Sequence, residues 1–143
     1  MEIRPAVPED ADAVTSLLGQ LGHPADRLRV ERRLERLFRD PDESLFVSQV
    51  DGRVVGLARL QVSPALEYDA DVGKLAALVV DEGYRGRGIG RALVETVEKE
   101  ARARGCALLF LTSAEQRADA HAFYARLGFD ETGRRFAKTF APR

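Results

Sequence analysis

Hydrophobic positions recur at helical spacing in the first third of the chain. Val14, Leu17 and Leu21 lie three or four residues apart, which predicts a helix ending at the following glycine. A second helix is predicted over residues 24–39, where one face is apolar and the other is rich in arginine and glutamate. A short edge strand over residues 2–5 precedes both helices.

From residue 44 the apolar residues follow a pattern typical of β-strands. Residues 44–50 and 53–62 form a predicted hairpin, because Asp51 and Gly52 between them tolerate the positive φ of a tight turn. Residues 74–80 are almost continuously apolar. That pattern predicts a central strand covered on both faces.

Helices and strands alternate in the remainder of the chain. The predicted elements are a helix over 88–104, a buried strand over 107–112, a helix over 117–127 and one or two strands after Phe129. This order predicts an α/β fold with a mixed sheet of six or seven strands and helices on both faces.

Composition and charge narrow the class of protein. The 143 residues are enough for one domain, which we expect to span residues 1–143. Lys and Arg total 22 against 23 Asp and Glu, so no charge excess favours nucleic acid or an anionic membrane as partner. Cys106 is the only cysteine, which excludes an internal disulfide. Without a signal-like start or a long apolar run, we expect a cytoplasmic protein.

A glycine-rich turn between the strand at 74–80 and the next helix is the most informative segment. Gly86, Gly88 and Gly90 alternate with other residues, so a ligand can approach the backbone closely. Unpaired N–H groups at the start of the helix favour an anion, above all a phosphate. Three arginines can add charge-assisted hydrogen bonds: Arg85, Arg87 and Arg91. The alternative is a turn that only ends the strand.

The spacing of this turn excludes two common phosphate-binding motifs. No Gly-Lys-Ser/Thr follows, as a P-loop requires, and Arg91 stands where a dinucleotide fingerprint needs its third glycine. The run from Arg85 to Gly90 instead resembles the pyrophosphate loop of GNAT acetyltransferases, with the pattern Arg/Gln-x-x-Gly-x-Gly/Ala.

A second motif, about thirty residues further on, also resembles a GNAT motif. Phe123, Tyr124 and Leu127 fall on one face of a predicted helix, and taken alone they are typical of a packed core. Followed by Gly128 and Phe129, they resemble the C-terminal signature of GNAT proteins. By its two motifs the chain is identified as a member of that superfamily.

The resemblance implies acetyl-CoA as co-substrate, without a metal. The two central parallel strands, 74–80 and 107–112, would splay apart and admit the pantetheine arm. Tyr124 would be the general acid that protonates the departing CoA thiolate. The implied cofactor-binding residues are Leu78, Val79, Val80, Arg85, Gly86, Arg87, Gly88, Ile89, Gly90, Arg91, Asp119, Phe123 and Tyr124.

The sequence departs from the family pattern at two positions. Many members have a glutamate in the central strand where this chain has Ala76, so the general base is open. Candidates for that base are Glu67, Asp69, Asp71, Glu115 and His121. Arg117, with Asp119 nearby, replaces an asparagine that contacts pantetheine in many members.

The function implied is acetyl transfer to a primary amine of a small molecule or peptide, by direct attack in a ternary complex. A non-catalytic acyl-CoA-binding regulatory domain is the alternative, and acetyl transfer to any acceptor separates the two. The near-zero net charge disfavours a nucleic-acid-binding module. A homodimer is compatible with the family. The acceptor and the length of the acyl donor stay open.

Overall fold

The computed structural model describes residues 1–112, 118–133 and 135–140. Its strands are β1 (Glu2–Pro5), β2 (Glu43–Val50), β3 (Arg53–Ser63), β4 (Val72–Val80) and β5 (Leu109–Phe110). Its helices are α1 (Ala11–Leu21), α2 (Arg27–Arg39), α3 (Ile89–Ala103) and α4 (Ala118–Arg126), with short 3₁₀ turns at Pro8–Asp10 and Glu82–Tyr84. In these residues no helix is long and apolar enough to cross a bilayer.

Capping residues set the boundaries of the first two helices. α2 begins at Arg27 rather than at residue 24, because the Asp26 side chain accepts the N–H of Arg29 at 2.9 Å. Gly22 ends α1 in the left-handed conformation, with φ of 97°, as the sequence predicts.

The strands form one mixed sheet in the order β1-β2-β3-β4-β5. The first three pairings are antiparallel, and β4 pairs with β5 in parallel. The α/β class and the mixed sheet are therefore confirmed. The sheet has five strands within the described residues, so the predicted six or seven are not confirmed.

Helices cover both faces of the sheet, as predicted. α3 packs on one face, where Leu93 and Val97 contact Leu60 of β3 in a buried cluster. α1 and α2 pack on the other face against Val47 and Val79. Residues 74–80 lie within β4, which is covered on both sides and is therefore apolar along most of its length.

The chain after β4 departs furthest from the sequence prediction. β5 pairs with β4 only at Gly73 and Lys74, so it spans two residues instead of the predicted 107–112. No strand forms in residues 129–133 or 135–140. Phe136 and Phe140 are 91% and 93% exposed, and an apolar strand without a covering layer has little to stabilise it.

Ser48 is a buried hydroxyl that packs against Gly56. It is fully buried, and its Oγ has no hydrogen-bond partner among the described residues. A Cβ added at Gly56 would overlap this Oγ and come within 2.9 Å of Leu93 Cδ1. The three residues fit together because position 56 has no side chain.

A partly buried ion pair anchors the N-terminal strand to the residue that precedes the first helix. Arg4 donates to both carboxylate oxygens of Asp10, at 2.8 and 2.9 Å, and to Gln49 on β2 at 3.0 Å. The Asp10 carboxylate also accepts the N–H of Val7 at 2.9 Å. The guanidinium of Arg4 and this N–H hold the pKa of Asp10 below its usual value despite burial.

We expect Asp10→Asn to lower the free energy of unfolding by about 2 kcal/mol at neutral pH, because Arg4 loses its charged partner. The pKa of Asp10 is depressed in the folded state. Its stabilisation is therefore present above about pH 4, the usual pKa of aspartate, and is lost as the pH falls further. Urea unfolding followed by circular dichroism from pH 7 to pH 2 measures both effects. Asp12→Asn, at an exposed carboxylate paired with Arg27, is the control and should change little. Equal pH profiles for Asp10→Asn and the wild type would contradict the assignment.

Candidate active site

The turn after β4 holds its glycines in an open conformation. Asp81 caps the 3₁₀ turn Glu82–Tyr84, and Gly86 and Gly88 follow with φ of 78° and 79°. A Cβ added at either glycine would meet nothing within 4 Å. α3 begins directly after Gly88, so the unpaired N–H groups of its first turn lie beside this open space. The arrangement suits an anionic ligand.

The three arginines of the turn have different surroundings. Arg85 donates from Nε to the last carbonyl of β4 at 3.2 Å, which closes the turn onto the strand. The guanidinium of Arg87 lies 4.9 Å from the ring centroid of Tyr84, a cation–π distance. Arg91 is exposed and donates to Glu95 one turn along α3 at 2.9 Å. All three are on the surface beside the turn.

A glutamine of α1 holds the start of the turn. Gln20 donates to the Asp81 carboxylate at 3.2 Å and accepts the N–H of Glu82 at 2.9 Å. Asp81 also accepts the N–H of Gly83 at 2.9 Å, and Arg53 lies 3.9 Å from its carboxylate. The N–H of Gly83 contributes most to holding the pKa of Asp81 below its usual value.

The two sequence motifs meet at the start of α3. A Cβ added at Gly90 would lie 3.5 Å from the ring of Phe123 and 3.7 Å from Val80, so α4 packs closely against the turn. Tyr124 is half-buried, with its ring centroid 5.2 Å from that of Phe123 and 5.9 Å from that of Phe129. Edge-to-face contacts with both rings fix the position of the tyrosine.

β4 has an irregular and largely unpaired edge beside this turn. Pairing with β5 covers only Gly73 and Lys74 among the described residues. On the other side of the strand, Ala77 and Leu75 pair with consecutive residues of β3, so Ala76 is an extra residue that forms a bulge. Backbone groups of β4 beyond Lys74 are therefore free of a strand partner on the β5 side in the described part.

A family profile described as "Acetyltransferase (GNAT) family" matches residues 12–129 of this sequence. The match includes both motifs and runs from the second residue of α1 to beyond the end of α4. The chain belongs to the GNAT acetyltransferase family. It is an N-acetyltransferase by this membership and by the named activities of its relatives.

Two curated relatives illustrate the membership, and one solved structure is similar over nearly the whole chain. Aminoalkylphosphonate N-acetyltransferase of Salmonella typhimurium is 33% identical over 96% of this chain and 90% of its own length. Glucosamine 6-phosphate N-acetyltransferase of Trypanosoma brucei brucei is 37% identical over 59% of this chain and 56% of its own length. A transcriptional regulator from Bacillus halodurans has a TM-score of 0.90 at 26% identity, covering 97% of this chain and 99% of its own.

Burial limits which atoms of the predicted cofactor-binding residues can contact a ligand. Val79 and Ile89 are buried in the two cores at 6% and 4% exposure, so only their backbone groups can face a ligand. Leu78 and Val80 are partly buried, and their side chains pack toward α3. Asp119 is exposed, and its carboxylate accepts the N–H of the next residue of α4 at 3.0 Å. Arg117 lies outside the described residues.

The candidate general bases that the structure describes are all exposed. Glu67, Asp69 and Asp71 are exposed in the loop before β4, and His121 is exposed on α4. Glu115 lies outside the described residues. Gln20 and Arg53, which contact the turn, belong to no motif and could not be found from local sequence.

We predict that Gln20→Ala loosens the turn without unfolding the protein. Loss of its two hydrogen bonds should speed hydrogen exchange at the N–H of Glu82 and Gly83 about tenfold. Nuclear magnetic resonance measures the exchange rates of both amides. Ser16→Ala, at an exposed position of α1, is the control. Unchanged exchange at both amides would show that the turn does not depend on Gln20.

Proposed function

We propose that this protein transfers the acetyl group of acetyl-CoA to a primary amine of a small molecule or peptide. The observation that carries the proposal is the open turn at Gly86 and Gly88, next to an edge of β4 that no described strand pairs beyond Lys74. The open turn suits a pyrophosphate, and the edge of β4 suits an arm that contains amides. Both are joined at the start of α3, so one extended ligand can occupy them together.

We propose that the pantetheine arm lies along the free edge of β4, the edge beyond Lys74 that has no strand partner among the described residues. Its amides would pair with backbone groups of Leu78 and Val80, completing the ladder that β5 leaves short. The bulge at Ala76 turns the strand just before these residues. The short pairing of β4 with β5 supports the proposed splay between these two strands.

The reaction proposed is direct attack of the neutral amine nitrogen on the thioester carbonyl carbon. The carbon–sulfur bond breaks, and Tyr124 gives its phenolic proton to the departing thiolate, whose basicity is similar. A backbone N–H of β4 stabilises the oxyanion. The proton lost by the amine passes to water or to a base that stays unassigned.

Amines that carry a phosphorus acid group are the first acceptors to test. The Salmonella and Trypanosoma relatives are named for an aminoalkylphosphonate and for glucosamine 6-phosphate. Both compounds combine an amine with an acidic phosphorus group. We propose acceptors of this class for the present chain.

A regulatory role is the second candidate, because the Bacillus relative is described as a transcriptional regulator. Acyl-CoA binding without acetyl transfer to any amine would favour it. The other expectations stay predictions: one domain over residues 1–143, a cytoplasmic location, a homodimer, and no metal or nucleic-acid partner.

We predict that Gly88→Glu abolishes CoA binding. A side chain there would fill the open turn, and its charge would repel the pyrophosphate. Calorimetric titration with acetyl-CoA and with CoA should give micromolar binding for the wild type only. Gly52→Glu is the matched control, since Gly52 has a φ of 78° and equally open surroundings in the β2–β3 hairpin. No binding by folded wild-type protein would overturn the proposed function.

We predict that Tyr124→Phe lowers kcat about a hundredfold, because the thiolate must leave without its acid. KM for acetyl-CoA should change little, since the ring and its contacts with Phe123 and Phe129 remain. Thiol release measures both constants. Tyr68→Phe, in the loop before β4, makes the same chemical change away from the motif. An unchanged kcat for Tyr124→Phe would show that another group supplies the proton.

A further inference from the structure

One row of side chains crosses four strands of the sheet. Strand register pairs Glu43 with Gln61, Gln61 with Lys74, and Lys74 with Phe110. Paired residues in a sheet place their side chains on the same face. Polar side chains therefore run from β2 to the edge where β4 meets β5, and they end at an aromatic ring.

The row lies on the face opposite α3. A Cβ added at Gly73 would contact Leu60 and Ala101, so position 73 faces α3. Successive residues of a strand point to opposite faces, and Lys74 therefore faces the side on which α1 and α2 pack. Those helices bury residues such as Val47 and Val79. Phe110 at the end of the row is 38% exposed.

Arg59 is fixed beside this row by a buried carboxylate. It donates to both oxygens of Glu43, from Nε at 2.6 Å and from a terminal nitrogen at 3.1 Å. Gln61 donates to the same carboxylate at 3.0 Å. The Glu43 side chain is only 2% exposed, whereas that of Arg59 is 30% exposed. The guanidinium is thus held in place, and its side chain keeps some exposure to solvent.

The row carries a net positive charge, which comes from Lys74. Arg59 and Glu43 cancel, and within residues 1–112, 118–133 and 135–140 Lys74 has no ion-pair or hydrogen-bond partner. Lys74 lies directly across from Gln61 and diagonally from Arg59, within reach of a shared anion. A half-buried lysine that has no counter-ion in the described part of the chain, next to a pre-positioned arginine, is suited to bind an anion.

The row lies near the stretch of β4 along which the pantetheine arm is proposed to lie. Arg59 is directly opposite Ala77, which precedes Leu78 on the free edge of β4. Lys74 is three residues before Ala77, with the bulge at Ala76 between them. A small acceptor held by its acidic group at Arg59 and Lys74 can place its amine near this edge.

The geometry points to Lys74 and Arg59 as the binding site for the acidic group of the acceptor. We infer that this group is a phosphorus oxyanion, either a phosphonate or a phosphate monoester, joined to the primary amine by a short spacer. Its two or three oxygens can contact the ammonium, the guanidinium and the Gln61 amide together. The inference deepens the proposed function and rests on it.

The test compares amines that differ only in the acidic group. Aminoethylphosphonate, O-phosphoethanolamine and neutral ethanolamine are each acetylated at saturating acetyl-CoA, and kcat/KM is measured by thiol release. We expect the wild type to prefer at least one anionic amine about tenfold or more. The better of the two identifies phosphonate or phosphate as the group recognised.

Lys74→Met should remove this preference. We expect kcat/KM for the preferred anionic amine to fall about tenfold, through KM, while the value for ethanolamine changes less than twofold. Lys99→Met, at an exposed lysine of α3, is the matched control and should change neither value. Arg59 is not removed, because Glu43 would be left buried without its partner. An equal loss for charged and neutral amines, or a wild type that prefers ethanolamine, would overturn the inference.

A binding measurement separates this inference from the proposed function. CoA-loaded protein is titrated with aminoethylphosphonate and O-phosphoethanolamine by calorimetry. Binding that is lost in Lys74→Met supports the anion site even if no acetyl transfer occurs, and absence of binding to both overturns it. Failure to bind CoA in the first place overturns the proposed function instead.

Discussion

The two-sided burial of β3 and β4 is the constraint on which the rest of the structure depends. Leu60 packs under α3, while Leu57 and Val79 pack under α1 and α2. Because both faces are filled, α3 has little freedom to slide along the sheet. Its N-terminal turn is consequently fixed against the end of β4. The position of the glycines relative to the strand edge, and with it the candidate site, follows from this packing.

Local patterns predicted most of this fold. The apolar spacing of α1 to α3, the Asp51-Gly52 turn and the continuous apolar run of β4 each reflect contacts that a residue makes with near neighbours or with one layer. The C-terminal part was predicted less well. Strand formation there depends on an edge partner distant in sequence, and β4 offers β5 only two paired positions. Apolar residues such as Phe136 mark a possible strand without specifying what would cover it.

The residues of the candidate site likewise fall into those that the sequence predicted and those that only the fold brings together. Gly86, Gly88 and Tyr124 belong to contiguous motifs, so sequence alone located them, and their roles stay predictions. Gln20 contacts the turn at Glu82, which lies sixty-two positions later in the chain, so only the tertiary fold brings the two together. The row that ends at Lys74 depends on register across four strands, and a one-residue slip would turn it to the other face. No local pattern encodes such an alignment.

The contact between Ser48 and Gly56 links two positions that are paired across β2 and β3. Any side chain at 56 would displace the serine hydroxyl and press on Leu93. A chain that acquires alanine at 56 must therefore make room at both contacts, by turning or losing the hydroxyl at 48 and by moving or shortening residue 93. In evolution or in laboratory selection, these positions are expected to change in a fixed order, with the smaller residue appearing before the larger one.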